Sequence, residues 1–503
     1  MLLLLLAGCP APPPWQEGSF PKNFRWGTAT AGFQVEAGCP TLAAAQCEDR
    51  NSDWYQFVTA PAFVSDTDLH LSGQPLAAAP GFRELFAADV DRARNELGNN
   101  AFRLSIEWSR LFPTDTRGIT GQQALRAHAD ADALAYYHAL LDAVRGAGLE
   151  PLVTLHHYTL PLWLHDGLAC HQDLAGCTRR GWLDPATVDE LAKYSGFVAA
   201  EFGDQVDWWA TQNEPLAVVM AGYLFPSETR TNPPGLGFKF AEGRAVLAAM
   251  QVAHARQYDA VKQADVVDAD GDGQASQVGL VYNLAPSYAA DPSKPVDVQA
   301  QRDIDYLYNQ VFLDGVVLGK FDQNLDGNPV PRADLAGRMD YLGVNYYTRI
   351  VAGGVSGGQP VFPDLSPFTA FNPLDIQQGE DFPRGIYEAL IALKRYHLPL
   401  IVTENGADDH LDDGRGERFL VEHLAWVARA IRDGADVRGY FWWTLLDNYE
   451  WNHGMAIRMG LYAVDAADPS KTRVARRSVP VYRRIAEANA IPEDLLAQYP
   501  IEE

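Results

Sequence analysis

Eight short apolar segments, separated by segments with helical patterning, recur along the chain and restrict the folds open to it more than any other feature. Most of these segments are apolar enough to be buried on both faces, as the strands of a parallel barrel require. Helical patterns lie between them, as at 133–147, 185–202 and 417–432. The alternation predicts an α/β fold, a (β/α)8 TIM barrel, with strands at 24–31, 101–107, 150–155, 206–212, 277–282, 339–346, 399–403 and 437–445.

Length and charge agree with one large domain. At 503 residues the chain is longer than a minimal barrel, so we expect a single barrel domain over 21–503 with loop insertions. The formal net charge of -25 at pH 7 would repel nucleic acids and anionic membrane surfaces. We therefore expect neither as a partner, and we interpret the charge as favouring solubility.

Residues 1–20 form a different kind of segment. The run Met1 to Cys9 is apolar but too short to span a bilayer, so it is interpreted as a signal segment. Its end, Leu6-Ala-Gly-Cys9, resembles a bacterial lipobox, although a basic n-region is missing; the alternative is a signal peptide with an incidental cysteine. The proline-rich stretch 10–14 is a stiff tether. We expect an exported protein, lipid-anchored through Cys9 at the bacterial cell envelope, or otherwise periplasmic or secreted.

The four other cysteines occur as two close pairs. Cys39 lies near Cys47, and Cys170 lies near Cys177. Close spacing in an exported protein favours local disulfides that constrain loops. Metal binding is the weaker interpretation, because no histidine lies at a fixed ligand spacing from both pairs.

Two of the predicted strands end at an Asn-Glu pair. The segments Thr211 to Pro215 and Ile401 to Gly406 each carry one, at Glu214 and Glu404. Because the carboxyl ends of parallel barrel strands meet at one face, the two carboxylates are expected to face each other there. Such a pair is typical of glycoside hydrolysis, in which one carboxyl group donates a proton and the other attacks carbon or activates water.

Seven segments in the same order resemble the family 1 glycoside hydrolases, the β-glucosidase and β-galactosidase family. The similarity covers nearly the whole chain after about residue 20, and the collinear set is far more specific than any one motif. The matching segments are 23–36, Phe102 to Arg110, Leu155 to Tyr158, Thr211 to Pro215, Gly343 to Thr348, Thr403 to Gly406 and Trp443 to Trp451.

The resemblance implies catalytic roles for five residues. Glu214 would be the acid/base and Glu404 the nucleophile of a retaining enzyme. Arg103 and Tyr347 match positions that contact the nucleophile and would hold it ionised and aimed. Asn213 would bond the sugar 2-hydroxyl as the oxocarbenium ion develops. Without the resemblance, Arg103 would be interpreted as part of an ion pair inside the barrel.

A second group is implied to bind the sugar. Glu450 would accept hydrogen bonds from the 4- and 6-hydroxyls of an unmodified hexose and would repel a 6-phosphate. Trp443 would form the platform under the ring, although composition alone favours a core role for tryptophans. His156 is assigned either a structural or a supporting role. The implied sugar-binding residues are Gln34, His157, Asn213, Trp443, Glu450 and Trp451.

Two acidic loops resemble the first half of a calcium loop, with oxygen ligands at alternate positions and a glycine for the turn. Position twelve, which needs a glutamate, is Gly279 in the first loop and Ala333 in the second. A solvated Asp/Gly turn is the alternative, and any calcium would be structural. The candidate ligands are Asp268, Asp270, Asp272, Asp322, Asn324 and Asp326.

Together the residues and the resemblance predict a retaining β-glycosidase. It would hydrolyse terminal β-linked glucosyl or galactosyl-type residues through a covalent intermediate, with no cofactor required for catalysis. A transglycosylase of the same family is one alternative, since it differs only in what intercepts the glycosyl enzyme. A non-catalytic sugar-binding barrel is a second, but such a module would be expected to have lost Glu214 or Glu404. Glycone preference, aglycone and oligomeric state stay open.

Overall fold

The computed structural model describes residues 18–355, 371–377 and 379–501, with backbone alone over 371–377. The predicted signal segment, Cys9 and the proline-rich stretch 10–14 lie outside these ranges. Within them, no helix combines the length and apolarity needed to cross a membrane.

Eight parallel strands close into a barrel, which confirms the predicted fold. Each strand pairs with the next along the chain, and the last pairs with the first, with Trp26 opposite Tyr440. Each of the eight predicted segments overlaps a barrel strand, and the ends differ by at most two residues. The strands are β1 Arg25–Ala29, β2 Ala101–Ser105, β3 Glu150–Thr154, β4 Trp208–Asn213, β5 Gln277–Asn283, β6 Tyr341–Asn345, β7 Leu400–Asn405 and β8 Val437–Trp443.

Helices connect the strands and pack around the barrel. The long ones are Phe82–Asn95, Ala131–Gly146, Ala186–Phe202, Phe240–Ala264, Pro295–Asp305, Val311–Leu318, Arg384–Leu393, Arg415–Arg432 and Ser478–Ala488. Short α-helices in the loops are Gly32–Val35, Ala44–Cys47, Asp53–Thr59, Pro61–Val64, Trp108–Leu111, Gln122–His128, Gly167–Gln172, Pro215–Val219 and Glu493–Gln498. Single 3-10 or π turns are Thr67–Leu69, Leu76–Ala78, Gly181–Leu183, Met220–Leu224, Tyr306–Gln310, Lys394–Tyr396 and Trp451–His453.

The loop insertions carry small accessory sheets. A three-stranded sheet joins Ser287–Ala289, Ile350–Gly354 and Phe371–Gln377 beside the barrel. Two hairpin-like pairs join Lys320–Phe321 with Val330–Pro331 and Tyr462–Val464 with Arg473–Ala475.

The core has two layers, because each barrel strand is buried on both faces. The larger layer lies between the strands and the surrounding helices. The smaller one fills the inside of the barrel, so the interior is packed and not an open pore. Its members include Ala29, Leu152, Trp208, Val281, Tyr341, Ile401, Phe441 and Trp443.

Both predicted disulfide bonds are present. Cys39 is bonded to Cys47, and Cys170 to Cys177, with Cα–Cα distances of 5.9 Å and 5.0 Å. The first lies in the loop after β1 and the second in the loop after β3. Both bonds therefore constrain loops at the carboxyl end of the barrel, where an active site is expected.

Candidate active site

Glu214 and Glu404 both reach the carboxyl-terminal mouth of the barrel. Glu214 follows β4 directly, in the left-handed backbone region with φ 44°, and Pro215 then begins a short helix. Glu404 is the penultimate residue of β7, which extends two residues beyond its predicted end. Both side chains are buried. A non-glycine residue in the left-handed region is uncommon and concentrates at functional sites.

Two donors bond directly to Glu404. Arg103 Nη1 donates to one carboxylate oxygen at 2.6 Å, and the Tyr347 hydroxyl donates to the other at 2.6 Å. Arg103 Nη2 also donates to Asn213 Oδ1 at 2.7 Å. The fully buried guanidinium therefore links Glu404 to the end of β4. An arginine fork suits this role because its donors point in fixed directions.

Glu214 is held by a separate pair of donors. Asn345 Nδ2 donates to Oε1 at 2.7 Å, and the Tyr158 hydroxyl donates to Oε2. Thr403 Oγ1 donates to Asn345 Oδ1 at 2.8 Å, which orients the amide. Since Thr403 directly precedes Glu404, β4, β6 and β7 position the two glutamates against each other.

The protonation of Glu404 reflects opposing effects. Burial raises the pKa of this carboxyl above the ordinary glutamate value, and the nearby Glu214 raises it further. The ion pair with Arg103 and the Tyr347 hydrogen bond lower the pKa but do not fully offset burial. The ionised form of Glu404 is therefore populated at a higher pH than in an exposed glutamate.

A Tyr347→Phe variant should move the acidic limb of the pH profile. The hydroxyl stabilises ionised Glu404, so its loss should raise the pKa of that carboxyl further. If Glu404 must be ionised to react, kcat/KM falls as pH drops through this pKa. The limb should therefore shift upward by about one pH unit, the effect of one hydrogen bond to a charged group.

Tyr346→Phe is the matched control for that measurement. The Tyr346 hydroxyl donates to the Phe382 carbonyl and does not contact the glutamates. Its acidic limb should stay where the wild-type limb lies. Equal shifts in both variants would show that the hydroxyl of Tyr347 has no special effect on Glu404.

The residues implied to bind sugar contact one another, and Asn213 links them through Arg103 to Glu404. Gln34 Nε2 donates to Glu450 Oε2 at 2.9 Å, and Asn213 Nδ2 bonds His157 Nε2 at 3.2 Å. The His157 ring lies nearly parallel to two tryptophan rings, with centroid distances of 5.9 Å to Trp443 and 5.8 Å to Trp451. Both tryptophans are buried, as the core interpretation expected, yet they also line this site.

The two adjacent histidines differ in their surroundings. Burial, followed by the Arg103 charge, holds the pKa of His157 well below its usual range, so its ring is neutral beside Asn213. His156 is also buried and packs edge-on against Trp182 at 5.2 Å, and burial lowers its pKa to about 3. The His156 backbone carbonyl also accepts a hydrogen bond from the Asn213 amide at 2.8 Å, so His156 contacts the sugar-binding group through its main chain and His157 through its ring.

Three residues of the site were absent from the sequence-based set. Tyr158 and Asn345 lie inside the motifs at Leu155 to Tyr158 and Gly343 to Thr348, so the signal was present. Arg230 lies in the loop 225–239 and donates to Glu450 Oε1 at 3.1 Å. Its loop matches none of the seven motif segments, and no local pattern indicated it.

The acidic loops lie away from the mouth, before β5 and β6 as expected. In the first, carboxylate oxygens of Asp268 and Asp270 approach within 4.8 Å of one another and of Asp207, a residue the sequence did not indicate. Asp272 instead accepts a bond from the Gln274 amide. In the second, Asp322 accepts amide hydrogen bonds from its own turn.

The other two candidate ligands of the second loop also form hydrogen bonds with protein groups. Asp326 caps the amide of Asn328, and the backbone oxygen of Asn324 accepts from Arg244. The carboxylates of both loops thus close the turns themselves, and calcium binding stays a prediction.

Comparison with known proteins shows to which family the chain belongs. A family model described as Glycosyl hydrolase family 1 matches residues 16–491. The chain belongs to glycosyl hydrolase family 1. This family 1 chain is therefore a retaining β-glycosidase, an O-glycosyl hydrolase that needs no cofactor for catalysis, as the residues and the resemblance predicted.

Relatives of this family 1 chain match over almost all of their length. A β-galactosidase of Pyrococcus woesei is 33% identical over 95% of this chain and 98% of its own. A β-galactosidase of Sulfolobus acidocaldarius is 35% identical over 95% of this chain and 97% of its own length. The crystal structure of the β-glycosidase from the hyperthermophile Thermosphaera aggregans superposes with a TM-score of 0.81, at 30% identity, covering 96% of this chain and 100% of that one.

Proposed function

We propose that Glu404 is the nucleophile and Glu214 the acid/base of a retaining β-glycosidase. One observation carries this assignment: the two glutamate side chains interact with each other at the barrel mouth, and each is held by its own donors. A guanidinium and a phenol on Glu404 favour a carboxylate that attacks. Among the described residues, Glu214 accepts its side-chain hydrogen bonds from two neutral donors, the Asn345 amide and the Tyr158 hydroxyl, which suits a proton donor better than the guanidinium on Glu404 would.

The first step forms a glycosyl enzyme. A Glu404 oxygen attacks the anomeric carbon from the face opposite the leaving group, and the bond to the aglycone oxygen breaks. Glu214 gives its proton to that oxygen, so the aglycone leaves as a neutral alcohol or phenol. The sugar is then bonded to Glu404 in the α configuration.

The second step reverses these roles. Glu214, now ionised, takes a proton from water as that water attacks the anomeric carbon. The bond to Glu404 breaks, and its carboxylate is restored. Two inversions at one carbon give net retention, so the sugar is released in the β configuration.

The stereochemistry of the first product tests this proposal. With a nitrophenyl β-glucoside, NMR of the freshly released sugar should show the β anomer before mutarotation. The α anomer would mean an inverting reaction and would remove Glu404 from the nucleophile role. Neutral hexosides of the gluco and galacto series are the substrates to use, since the relatives named above are β-galactosidases and a β-glycosidase.

We also propose that the protein is exported and anchored by lipid on Cys9. The Leu6 to Cys9 segment supports this, and two disulfides are typical of an oxidising compartment. Expressed in a bacterial host with a functional start, the protein should fractionate with membranes and carry lipid on Cys9. Cys9→Ser should release it or leave it unprocessed. Wild-type protein in the soluble fraction with an unmodified Cys9 would contradict the proposal.

A further inference from the structure

Arg230 brings a positive charge to the sugar-binding end of the site. Its Nη2 donates to Glu450 Oε1 at 3.1 Å, and its guanidinium carbon lies 5.8 Å from the centroid of the Trp451 ring. Its charge also interacts with Glu214 and Tyr158. Arg230 therefore lies between the sugar-binding residues and the proposed acid/base.

The backbone on either side of Arg230 is tied to the turn that carries Glu450. Asn452 Nδ2 donates to the Glu228 carbonyl at 3.2 Å, and His453 Nε2 bonds the Thr229 carbonyl at 3.0 Å. The Arg230 amide in turn bonds the Ser227 carbonyl at 3.1 Å. These contacts hold the loop in place, so the Arg230 guanidinium is preorganised before a ligand binds.

Part of this polar end lacks protein partners. Among the described residues, Arg230 Nη1 and Gln34 Oε1 are buried with no hydrogen-bond partner. Nη1 can only donate, so it needs an acceptor. Buried polar groups are nearly always hydrogen-bonded, so Arg230 Nη1 points to an acceptor on a ligand and Gln34 Oε1 to a donor, such as a sugar hydroxyl.

The charges of Glu450 and Arg230 indicate which substituents on the sugar this end of the pocket can accept. Alone, the Glu450 carboxylate would repel any negative group on the sugar, but the ion pair with Arg230 balances its charge. We propose that Arg230 binds the substituent on carbon 6 and that the pocket accepts β-linked hexuronic acids in addition to neutral hexoses. The proposal rests on the proposed function, including the place of Glu450 at the 4- and 6-hydroxyls.

A carboxylate fits this position better than a phosphate does. A planar carboxylate matches the guanidinium fork and adds one negative charge. A phosphate adds a charge of about -1.5 to -2, which one guanidinium already paired with Glu450 does not balance. Hydrolysis of 6-phosphoglycosides is therefore the outcome that the pocket disfavours.

Nitrophenyl β-glucoside, β-glucuronide and 6-phospho-β-glucoside, tested on the purified full chain, separate these cases. Wild-type protein should hydrolyse the glucoside and the glucuronide. Arg230→Gln removes the charge and should lower kcat/KM for the glucuronide roughly tenfold to a hundredfold more than for the glucoside, the range for losing a hydrogen bond to a charged group. Arg230→Lys keeps the charge without the fork and should fall between.

Arg126→Gln is the matched control, because Arg126 is an exposed arginine whose ion pair is with Glu201 and with none of the glycone residues. This variant should leave kcat/KM unchanged for both the glucoside and the glucuronide. Melting curves of all variants check that they fold. Cleavage of the glucoside but not the glucuronide by wild-type protein would overturn the proposal and leave the glycosidase function intact. So would equal losses on both substrates in Arg230→Gln, or faster cleavage of the phosphorylated sugar. No cleavage of any glycoside would instead refute the proposed function.

Discussion

A Glu404→Gly variant is expected to lose hydrolysis by roughly 10⁴-fold or more, the scale of loss when a covalent nucleophile is removed. Without the carboxylate, no glycosyl enzyme forms. Azide or formate should restore part of the turnover of an activated aryl glycoside, because a small anion fits the space that the side chain leaves. Azide should give an α-glycosyl azide, since it attacks from the face that Glu404 occupied. Product NMR and initial rates measure both effects.

Glu404→Gln is the control for that rescue. The amide fills nearly the same volume as the carboxylate but attacks poorly, so the loss should be similar and azide should not restore activity. If azide restored both variants equally, or if Glu404→Gly kept substantial activity without it, Glu404 would not be the nucleophile.

A Glu214→Ala variant should show a loss that depends on the leaving group. Alkyl glycosides need a proton on the departing oxygen, so their turnover should fall by about 10² to 10⁴-fold, the usual contribution of a general acid. Dinitrophenolate is a good leaving group and departs without that proton, so the glycosylation step of dinitrophenyl glycosides should change little. Azide should then speed turnover by attacking the glycosyl enzyme and give a β-glycosyl azide, the opposite configuration to that from Glu404→Gly.

Glu214→Gln separates proton transfer from the loss of contacts with Asn345 and Tyr158. The amide keeps the size of the side chain and still cannot donate the proton, so it should repeat the leaving-group dependence. Equal losses for alkyl and dinitrophenyl glycosides would assign Glu214 a role in binding instead of proton transfer.

The barrel was predictable because its signal is local. Strands buried on both faces show as apolar runs, and helices packed on one side show a 3.6-residue period, so the ends of the eight strands were predicted to within two residues. Strand ends were less certain, because hydrogen bonding to the neighbouring strand decides where a strand stops. Pairing with β6 and β8 extends β7 through Asn405, so Glu404 belongs to the strand.

In the candidate site, too, local motifs indicated some residues and only the folded structure showed others. Motifs along the chain indicated the two glutamates, Arg103, Tyr347 and the sugar-binding group. The structure added donors on Glu214, since only packing shows that Tyr158 from the loop after β3 and Asn345 from β6 reach the same carboxylate. It also showed that burial outweighs Arg103 in setting the pKa of Glu404. Dehydration depends on every neighbour in space, and no local segment contains that information.

By itself, the sequence determined the barrel and the family resemblance and indicated the residues that we propose carry the chemistry, because strand patterning and short motifs are local properties of the chain. Only the tertiary structure brought Arg230 to Glu450, 220 positions apart in sequence. That pairing depends on the path of the loop 225–239 and on its hydrogen bonds to the turn after β8. Loop paths are set by long-range contacts, so the charge balance at the sugar-binding end could be determined only in the folded molecule.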